Sequence, residues 1–157
     1  MQQLNQLLAR LLQGQVEFVL VGGLAAAIHG SSLNTRDVDI CIRLSLENLM
    51  RLQTALADLH PVHRSRPDIP FVVTAENWER FKNLYLKTDL GIVDCLGEVL
   101  GVGGYDETLS HSIVLNLPIG PCRILDIDTL IKAKEAMGRP HDLVTVQHLK
   151  AVRALTK

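Results

Sequence analysis

The chain has 157 residues, a formal net charge of -1 and 47% hydrophobic residues. This length fits one domain with a substantial apolar core that needs no metal or disulfide to hold it together. Because its charge is nearly balanced, the chain as a whole has no general attraction for nucleic acid, and such a partner would need a local basic patch.

The three cysteines, Cys41, Cys95 and Cys122, lie far apart within apolar runs. Their odd number and wide spacing predict buried, reduced thiols rather than disulfides or a zinc site. The longest apolar runs are broken by glycine or charge well short of a membrane span, and the amino end lacks the order of a secretory signal. We therefore expect a cytoplasmic protein with no membrane partner.

The first elements of the chain are predicted to be a helix, a strand and a second helix. Five leucines at helical spacing predict an amphipathic helix that ends at Gly14: Leu4, Leu7, Leu8, Leu11 and Leu12. The apolar run Val16–Val21 predicts a buried strand, which Gly22 and Gly23 end in a tight turn before a helix over Leu24–His29. Such a turn leaves backbone N–H groups free at the start of the helix, and a phosphate can approach them closely.

Two aspartates begin the next predicted strand, which runs from Asp37 to Leu44. Because alternate residues of a strand share a face, Asp37 and Asp39 point to the same side. Two carboxylates on one strand edge suit a hard divalent cation such as Mg²⁺, which takes oxygen ligands and usually keeps substrate phosphates in its shell. The sequence therefore predicts a metal and phosphate site close to the glycine turn.

The middle of the chain is predicted to hold a helix, a loop and smaller elements. Ser45 is expected to cap a helix with an apolar face of five residues: Leu46, Leu49, Met50, Leu56 and Leu59. The three prolines and several charges of His60–Pro70 predict a mobile loop. A short strand is predicted over Phe71–Val73, and a brief helix after Glu76 from three residues at helical spacing: Trp78, Phe81 and Leu84.

Four extended runs follow. Tyr85–Leu90 and Ile92–Leu96 predict adjacent strands, and Ser112–Leu117 and Cys122–Ile127 predict a further pair. Asp94 lies inside the second run, between apolar neighbours. A carboxylate buried alone costs free energy, so Asp94 is expected to be paired, hydrogen-bonded or bound to a metal.

The last part of the chain is predicted to be helical. Asp128 is expected to cap a helix that continues to Met137 and ends at Gly138, and Pro140 suits the first turn of a final helix. The apolar stripe of that final helix comprises five residues: Leu143, Val146, Leu149, Val152 and Leu155.

The order and spacing of Gly22, Gly23, Asp37 and Asp39 resemble the core pattern of the nucleotidyltransferase superfamily, which has the polymerase-beta-like fold. That pattern is a Gly-Gly or Gly-Ser turn followed by Asp-x-Asp or Asp-x-Glu. The resemblance implies an α/β (α+β) fold, with a mixed β-sheet flanked by helices in a single compact domain over residues 1–157. It implies an N-terminal helix over 1–13, a catalytic core over 16–127 and C-terminal helices over 128–157.

The resemblance also implies a set of ligands. In the superfamily the glycine turn holds the triphosphate of an NTP, and a third carboxylate from a neighbouring strand joins the acidic pair in holding two metal ions. Here the third carboxylate would be Asp94, so that Asp37, Asp39 and Asp94 would bind Mg²⁺ or Mn²⁺. Two bridged metals can stabilise both the attacking and the leaving oxygen of an in-line displacement.

Two longer stretches, VDCLGEVLGVGGYDETL and LIKAKEAMGRPHDL, resemble a bacterial branch related to the abortive-infection toxins of type IV toxin–antitoxin systems. That branch carries a lysine on the penultimate helix and then Gly-Arg-x-Lys-Asp, a pattern matched by Lys134, Gly138, Arg139 and Asp142. The chain departs from the branch at His141, where lysine is usual, and at Thr145, where an acidic residue is common. The resemblance implies a cognate antitoxin as a partner.

The roles of the two matching cations stay open at this point. By resemblance Lys134 reaches the phosphates of the nucleotide, and the alternative is a solvated charge on a helix. Arg139 either clamps a phosphate or pairs with Asp142. His29 is predicted to be a packed, hydrogen-bonded residue rather than a catalyst.

These observations favour a metal-dependent nucleotidyltransferase that moves a nucleoside monophosphate from an NTP to a hydroxyl and releases pyrophosphate. The acceptor is open between RNA such as tRNA, a protein and a small molecule. The alternative is a non-catalytic module that retains the fold to bind a nucleotide or a partner. A third interpretation gives the acidic residues a structural role alone.

Overall fold

A large mixed β-sheet organises the computed structural model, which describes residues 2–32 and 35–156. Met1, Leu33, Asn34 and Lys157 lie outside the described residues; they fall in the predicted first helix, the loop before the acidic pair and the final helix. The sheet is flanked by helices, which confirms the predicted fold class.

The strands and helices have the following bounds. The strands are β1 (Phe18–Val21), β2 (Asp37–Ile42), β3 (Val62–His63), β4 (Arg66–Pro70), β5 (Asn83–Thr88), β6 (Gly91–Leu96), β7 (Glu98–Val99), β8 (Gly103–Gly104), β9 (Ser112–Leu117) and β10 (Gly120–Leu125). The helices are α1 (Gln2–Gln13), α2 (Gly22–His29), α3 (Leu46–Leu56), α4 (Tyr105–Ser110), α5 (Ile127–Met137) and α6 (Pro140–Thr156).

Within the described residues the main sheet has eight strands in the order β4-β3-β5-β6-β2-β1-β10-β9. The β2–β6 and β1–β10 pairs are parallel, and the other neighbours are antiparallel. The short strands β7 and β8 pair only with each other. Helix α1 packs against α3, whereas α2 packs against α5 and α6.

Several predicted elements are present with small shifts of their ends. The buried face of α1 consists of four of the predicted leucines: Leu4, Leu7, Leu8 and Leu11. Ser45 caps α3 by accepting a hydrogen bond from the Asn48 N–H at 3.1 Å, and Gly138 ends α5 in the left-handed conformation. The three cysteines are buried, and none forms a disulfide with a described residue.

The predicted mobile loop over His60–Pro70 is wrong, because this segment forms the β3–β4 hairpin at the edge of the sheet. Val62 lies opposite Lys87 of β5, and this pairing attaches the hairpin to the sheet. Two of the three prolines lie in β4, the edge strand, where a residue without an N–H is tolerated. The short strand predicted over Phe71–Val73 is also wrong, and the N–H of its last residue donates to the Gln53 side chain at 2.5 Å.

Two predicted helical features are corrected as well, and one helix was not predicted. The brief helix after Glu76 is a single 3-10 turn over Trp78–Arg80, because Leu84 belongs to β5. The cap of α5 is Asp126 rather than Asp128, since the Asp126 carboxylate accepts a hydrogen bond from the Thr129 N–H at 2.7 Å. The short helix α4 was not predicted.

The apolar faces of two helices also differ from the prediction. On α3, Met50 is exposed and Leu52 is buried in its place. On α6, Leu143 and Leu155 are exposed, and the buried face of this helix consists of Asp142, Thr145, Val146 and Leu149 instead.

A buried asparagine joins α3 to the sheet. Asn48 has no exposed surface, and its side-chain oxygen accepts a hydrogen bond from the Glu17 N–H at 2.7 Å. Its side-chain nitrogen donates to the carbonyl oxygens of Glu17 at 3.0 Å and Arg43 at 2.9 Å. These backbone groups flank β1 and β2, so one side chain satisfies polar groups at the ends of two central strands.

We expect Asn48→Ala to lower the free energy of unfolding by about 3 kcal/mol, because it removes three hydrogen bonds between a fully buried side chain and the backbone of Glu17 and Arg43. Asn116→Ala is the matched control, since Asn116 is exposed on the edge strand β9. Urea unfolding of both variants measures the effect. An Asn48→Ala loss as small as that of the control would contradict this account of the contact.

Candidate active site

Three carboxylates meet where β2 and β6 run side by side. Asp39 lies directly opposite Asp94 in this parallel pair, and Asp37 lies two residues earlier on the same face of β2. All three line one cavity of about 760 Å³. The structure therefore places Asp94 beside Asp37 and Asp39, from which it is distant in sequence.

The start of α2 forms the wall of this cavity beside Asp39. Gly22 and Gly23 are the first residues of α2 rather than a separate turn before it. Gly22 has a φ of +69°, and a Cβ there would lie 2.7 Å from Asp39 Cβ and overlap the carboxylate. A Cβ at Gly23 would lie 2.9 Å from Thr35 Oγ1. Glycine at these positions lets backbone and carboxylate lie in close contact.

The amino end of α2 is open to the cavity. It begins without a side-chain hydrogen bond from any described residue, and both glycines line the cavity. The first N–H groups of a helix have no partner within the helix and carry its positive dipole end. This end of α2 can therefore bind an anion such as a phosphate.

The carboxylates are close enough to change one another's ionisation. The pKa of Asp39 is raised to about 6, first by burial and then by the negative charges of Asp94 and Asp37, while Lys134 and Arg139 oppose the shift. The pKa of Asp94 is also raised. Burial is the main cause, and the nearby Arg64 guanidinium opposes part of this rise. The site thus concentrates negative charge in a partly buried place, where a bound cation would favour the ionised forms.

One oxygen of the site is suited to a metal. Asp94 Oδ1 is buried and accepts no hydrogen bond from any described residue. Across residues 2–32 and 35–156, no three or more His, Cys, Asp or Glu side chains are grouped as a ready-made metal cage. Mg²⁺ is often held by only one or two carboxylates, with waters and substrate phosphates completing its shell. The neighbouring carboxylates of Asp39 and Asp94 fit that mode of binding.

Two cations line the opposite wall of the cavity. Lys134 is buried rather than solvated, and its Nζ lies 3.4 Å from Asp142 Oδ1. Arg139 Nε donates to Asp142 Oδ2 at 2.6 Å, and its Nη2 donates to Oδ1 at 3.2 Å. The interpretation of Lys134 as a solvated charge is therefore wrong. Arg139 pairs with Asp142 and also lines the cavity, so its contact with a phosphate stays a prediction.

Asp142 holds these two cations from a fully buried position. Burial alone would raise the pKa of this carboxyl, but the hydrogen bond from Arg139 and the charges of Lys134 and Arg139 lower it below its ordinary value. The ionised carboxylate is therefore the form that the fold favours.

Sequence reasoning missed the residues on the side of the cavity beyond Asp94. Tyr85 lies opposite Asp94 in the β5–β6 hairpin and lines the cavity. Arg64, which belongs to the segment predicted as a mobile loop, has its Nη2 3.5 Å from Asp94 Oδ1. Strand alternation counted back from the turn at Gly91 could have identified Tyr85. His29 is a packing residue, as predicted, with its Nε2 2.8 Å from the Leu125 carbonyl oxygen.

A scan against protein-family models and a search of curated proteins gave no match. Three solved structures are similar to this chain. A Thermotoga maritima protein proposed to be a nucleotidyltransferase has 18% identity and a TM-score of 0.55, over 92% of this chain and 88% of its own. The antibiotic-resistance factor ANT(2'')-Ia has 13% identity and a TM-score of 0.56, over 99% and 89% respectively. An antigenic nucleotidyltransferase-like protein from Paracoccidioides brasiliensis has 16% identity and a TM-score of 0.57, over 94% and 72%.

The chain has the nucleotidyltransferase fold. All three structures confirm the fold that the sequence resemblance implied. In the part of the chain that the structure describes, no helix is long and apolar enough to cross a membrane.

We expect Gly22→Ala to destabilise the protein by about 2 kcal/mol more than Gly138→Ala. Both glycines have nearly the same positive φ, +69° and +66°. An alanine at either position therefore has the same backbone strain in the left-handed region, about 1 kcal/mol. Only at Gly22 does the new Cβ collide with Asp39; near Gly138 the closest described atom is 3.6 Å away. Equal losses in urea unfolding would contradict the close packing of α2 against Asp39.

We expect Asp142→Asn to lower the free energy of unfolding by about 3 kcal/mol at pH 7, because it leaves buried Lys134 without its counter-charge. Since the pKa of Asp142 is lowered in the folded protein, its stabilisation is complete above the ordinary pKa of an aspartate, about 4, and is lost as the pH falls through the lower folded value. The difference between wild type and variant should therefore shrink towards pH 3.

Urea unfolding between pH 7 and pH 3 measures this difference. Asp106→Asn is the control, because Asp106 is 85% exposed, and we expect it to leave the unfolding curve unchanged at both ends of the range. A gap between wild type and Asp142→Asn that is constant or grows towards low pH would exclude the ion-pair account.

Proposed function

We propose that the protein is a metal-dependent nucleotidyltransferase that moves a nucleoside monophosphate from an NTP to a hydroxyl group and releases pyrophosphate. The observation that carries the proposal is the pairing of Asp39 with Asp94 across β2 and β6, beside the glycine start of α2. This arrangement unites carboxylates, free helix N–H groups and two cations around one cavity. The fold is that of nucleotidyltransferases, and the NTP as substrate follows from the proposed activity.

In this proposal Asp37, Asp39 and Asp94 hold Mg²⁺ or Mn²⁺. The bound metal supplies positive charge to the attacking and leaving oxygens. The N–H groups at Gly22 and Gly23 bind phosphate oxygens at the positive end of α2. Lys134 and Arg139 approach the same phosphates from the opposite wall, held in position by Asp142.

One of the carboxylates is also assigned a role in proton transfer. The acceptor oxygen forms a bond to the α-phosphorus while the bond from that phosphorus to the bridging oxygen breaks, and pyrophosphate leaves. The hydroxyl proton must leave the acceptor oxygen during this exchange. We assign its acceptance to Asp94, whose Oδ1 is free of hydrogen bonds from described residues and whose pKa is raised above its ordinary value by burial.

The acceptor is proposed only as a hydroxyl of RNA such as tRNA, of a protein side chain or of a small molecule. A role as part of a toxin–antitoxin pair, with a cognate antitoxin as partner, is proposed from the stretch LIKAKEAMGRPHDL. The cytoplasm is the proposed location.

A second candidate function is a non-catalytic module that binds a nucleotide or a partner. The observation that favours it is the presence of His141 and Thr145 in the cavity wall, where the bacterial branch carries lysine and an acidic residue. Calorimetry separates the two functions. Tight NTP binding without turnover on any acceptor in a cell extract would favour the module.

Labelled NTPs incubated with the protein and a cell extract test the catalytic proposal. We expect Asp39→Asn to reduce transfer of label from the α-phosphate at least about 100-fold, because it removes a charged ligand that acts in the transition state. Asp68→Asn is the control; Asp68 is exposed and pairs with Arg66 on the edge hairpin. Labelling that is equal in wild type and Asp39→Asn would overturn the proposal.

A further inference from the structure

The third carboxylate has a cationic neighbour of its own. Arg64 lies in the turn between β3 and β4, and its Nη2 is 3.5 Å from Asp94 Oδ1. Its guanidinium carbon also lies 5.3 Å from the centre of the Tyr85 ring. Arg64 therefore makes two favourable contacts from one position, an ion pair with the carboxylate and a cation–π contact with the ring.

The contact with Asp94 is an ion pair without the alignment of a hydrogen bond. Asp94 Oδ1 accepts no hydrogen bond from the residues that the structure describes, although Arg64 is within ion-pair distance. An arginine that is well placed on a carboxylate forms two parallel hydrogen bonds. Arg64 thus balances the charge of Asp94 but leaves the lone pairs of Oδ1 available to another cation.

The backbone of Arg64 is fixed while its side chain is partly free. The Arg64 N–H donates to the Tyr85 carbonyl oxygen at 2.8 Å, and β3 is paired with β5. The Arg64 side chain is 39% exposed, against 15% for Asp94. A change in this pair would therefore consist of a rotation of the arginine side chain and would need no movement of the sheet.

We infer that Arg64 is a positioning residue that competes with the divalent metal for Asp94, so that metal loading displaces its guanidinium from the carboxylate. The inference rests on the proposed function, which assigns Asp94 as a metal ligand. A divalent ion on Asp94 Oδ1 would lie within a few ångströms of the guanidinium, where like charges repel. Arg64 thereby weakens metal binding and holds the Asp94 carboxylate in place when no metal is bound.

Titration of Mn²⁺ into the full-length protein at pH 8, with free Mn²⁺ followed by electron paramagnetic resonance, tests the inference without any need for activity. We expect Arg64→Gln to bind Mn²⁺ about fivefold more tightly than wild type, the factor that corresponds to an ion pair worth about 1 kcal/mol. Arg64→Lys keeps the positive charge and should remain close to wild type.

Arg66→Gln is the matched control. Arg66 belongs to the same hairpin, but its Nη2 pairs with Asp68 Oδ2 at 3.1 Å and not with a carboxylate of the site. We expect its Mn²⁺ affinity to be that of wild type. Circular dichroism and the melting temperature of each variant establish that the hairpin is folded before affinities are compared.

Two results would overturn the inference. Only the second would also overturn the proposed metal-dependent function. Mn²⁺ binding by wild type that is unchanged or weakened in Arg64→Gln overturns the competition alone and leaves the proposed function standing. The absence of Mn²⁺ binding in wild type and every variant overturns the competition and the metal-dependent function together.

Discussion

The parallel pairing of β2 with β6 is the constraint on which the site depends. It places Asp39 and Asp94 opposite each other, so two partly buried carboxylates share one small volume. Burial raises the pKa of both, and the negative charge of Asp94 adds to the rise at Asp39. Such an arrangement costs folding free energy and persists because the sheet fixes the backbone on both sides. The surrounding structure supplies positive charge from several directions.

That positive charge comes from elements distant in sequence. The start of α2 contributes free N–H groups, and its glycines permit contact with Asp39. Lys134 and Arg139 come from the end of α5 and the turn that follows, where the fully buried Asp142 fixes both. Arg64 belongs to the β3–β4 hairpin at the edge of the sheet. The cations around the carboxylates therefore belong to different structural units.

Much of the fold and part of the candidate site could be predicted from local sequence patterns. Strand alternation places Asp37 and Asp39 on one face, and the sequence before α3 identifies Ser45 as its cap. The convergence of Asp94 could not be read from periodicity, because it depends on the order of strands in the sheet; the superfamily resemblance supplied it. The burial of Lys134 depends on a tertiary contact with Asp142 across the Gly138 turn, and helical spacing carries no signal for it. The three prolines of His60–Pro70 favoured a loop, so the hairpin that carries Arg64 was not predicted.

The most direct measurement is a crystal structure with Mn²⁺ and a non-hydrolysable NTP, with the metal located by anomalous scattering. The account predicts Mn²⁺ between Asp37, Asp39 and Asp94, and the triphosphate at the start of α2 within reach of Lys134. Metal bound elsewhere on the molecule, or a triphosphate that avoids the Gly22–Gly23 backbone, would contradict it.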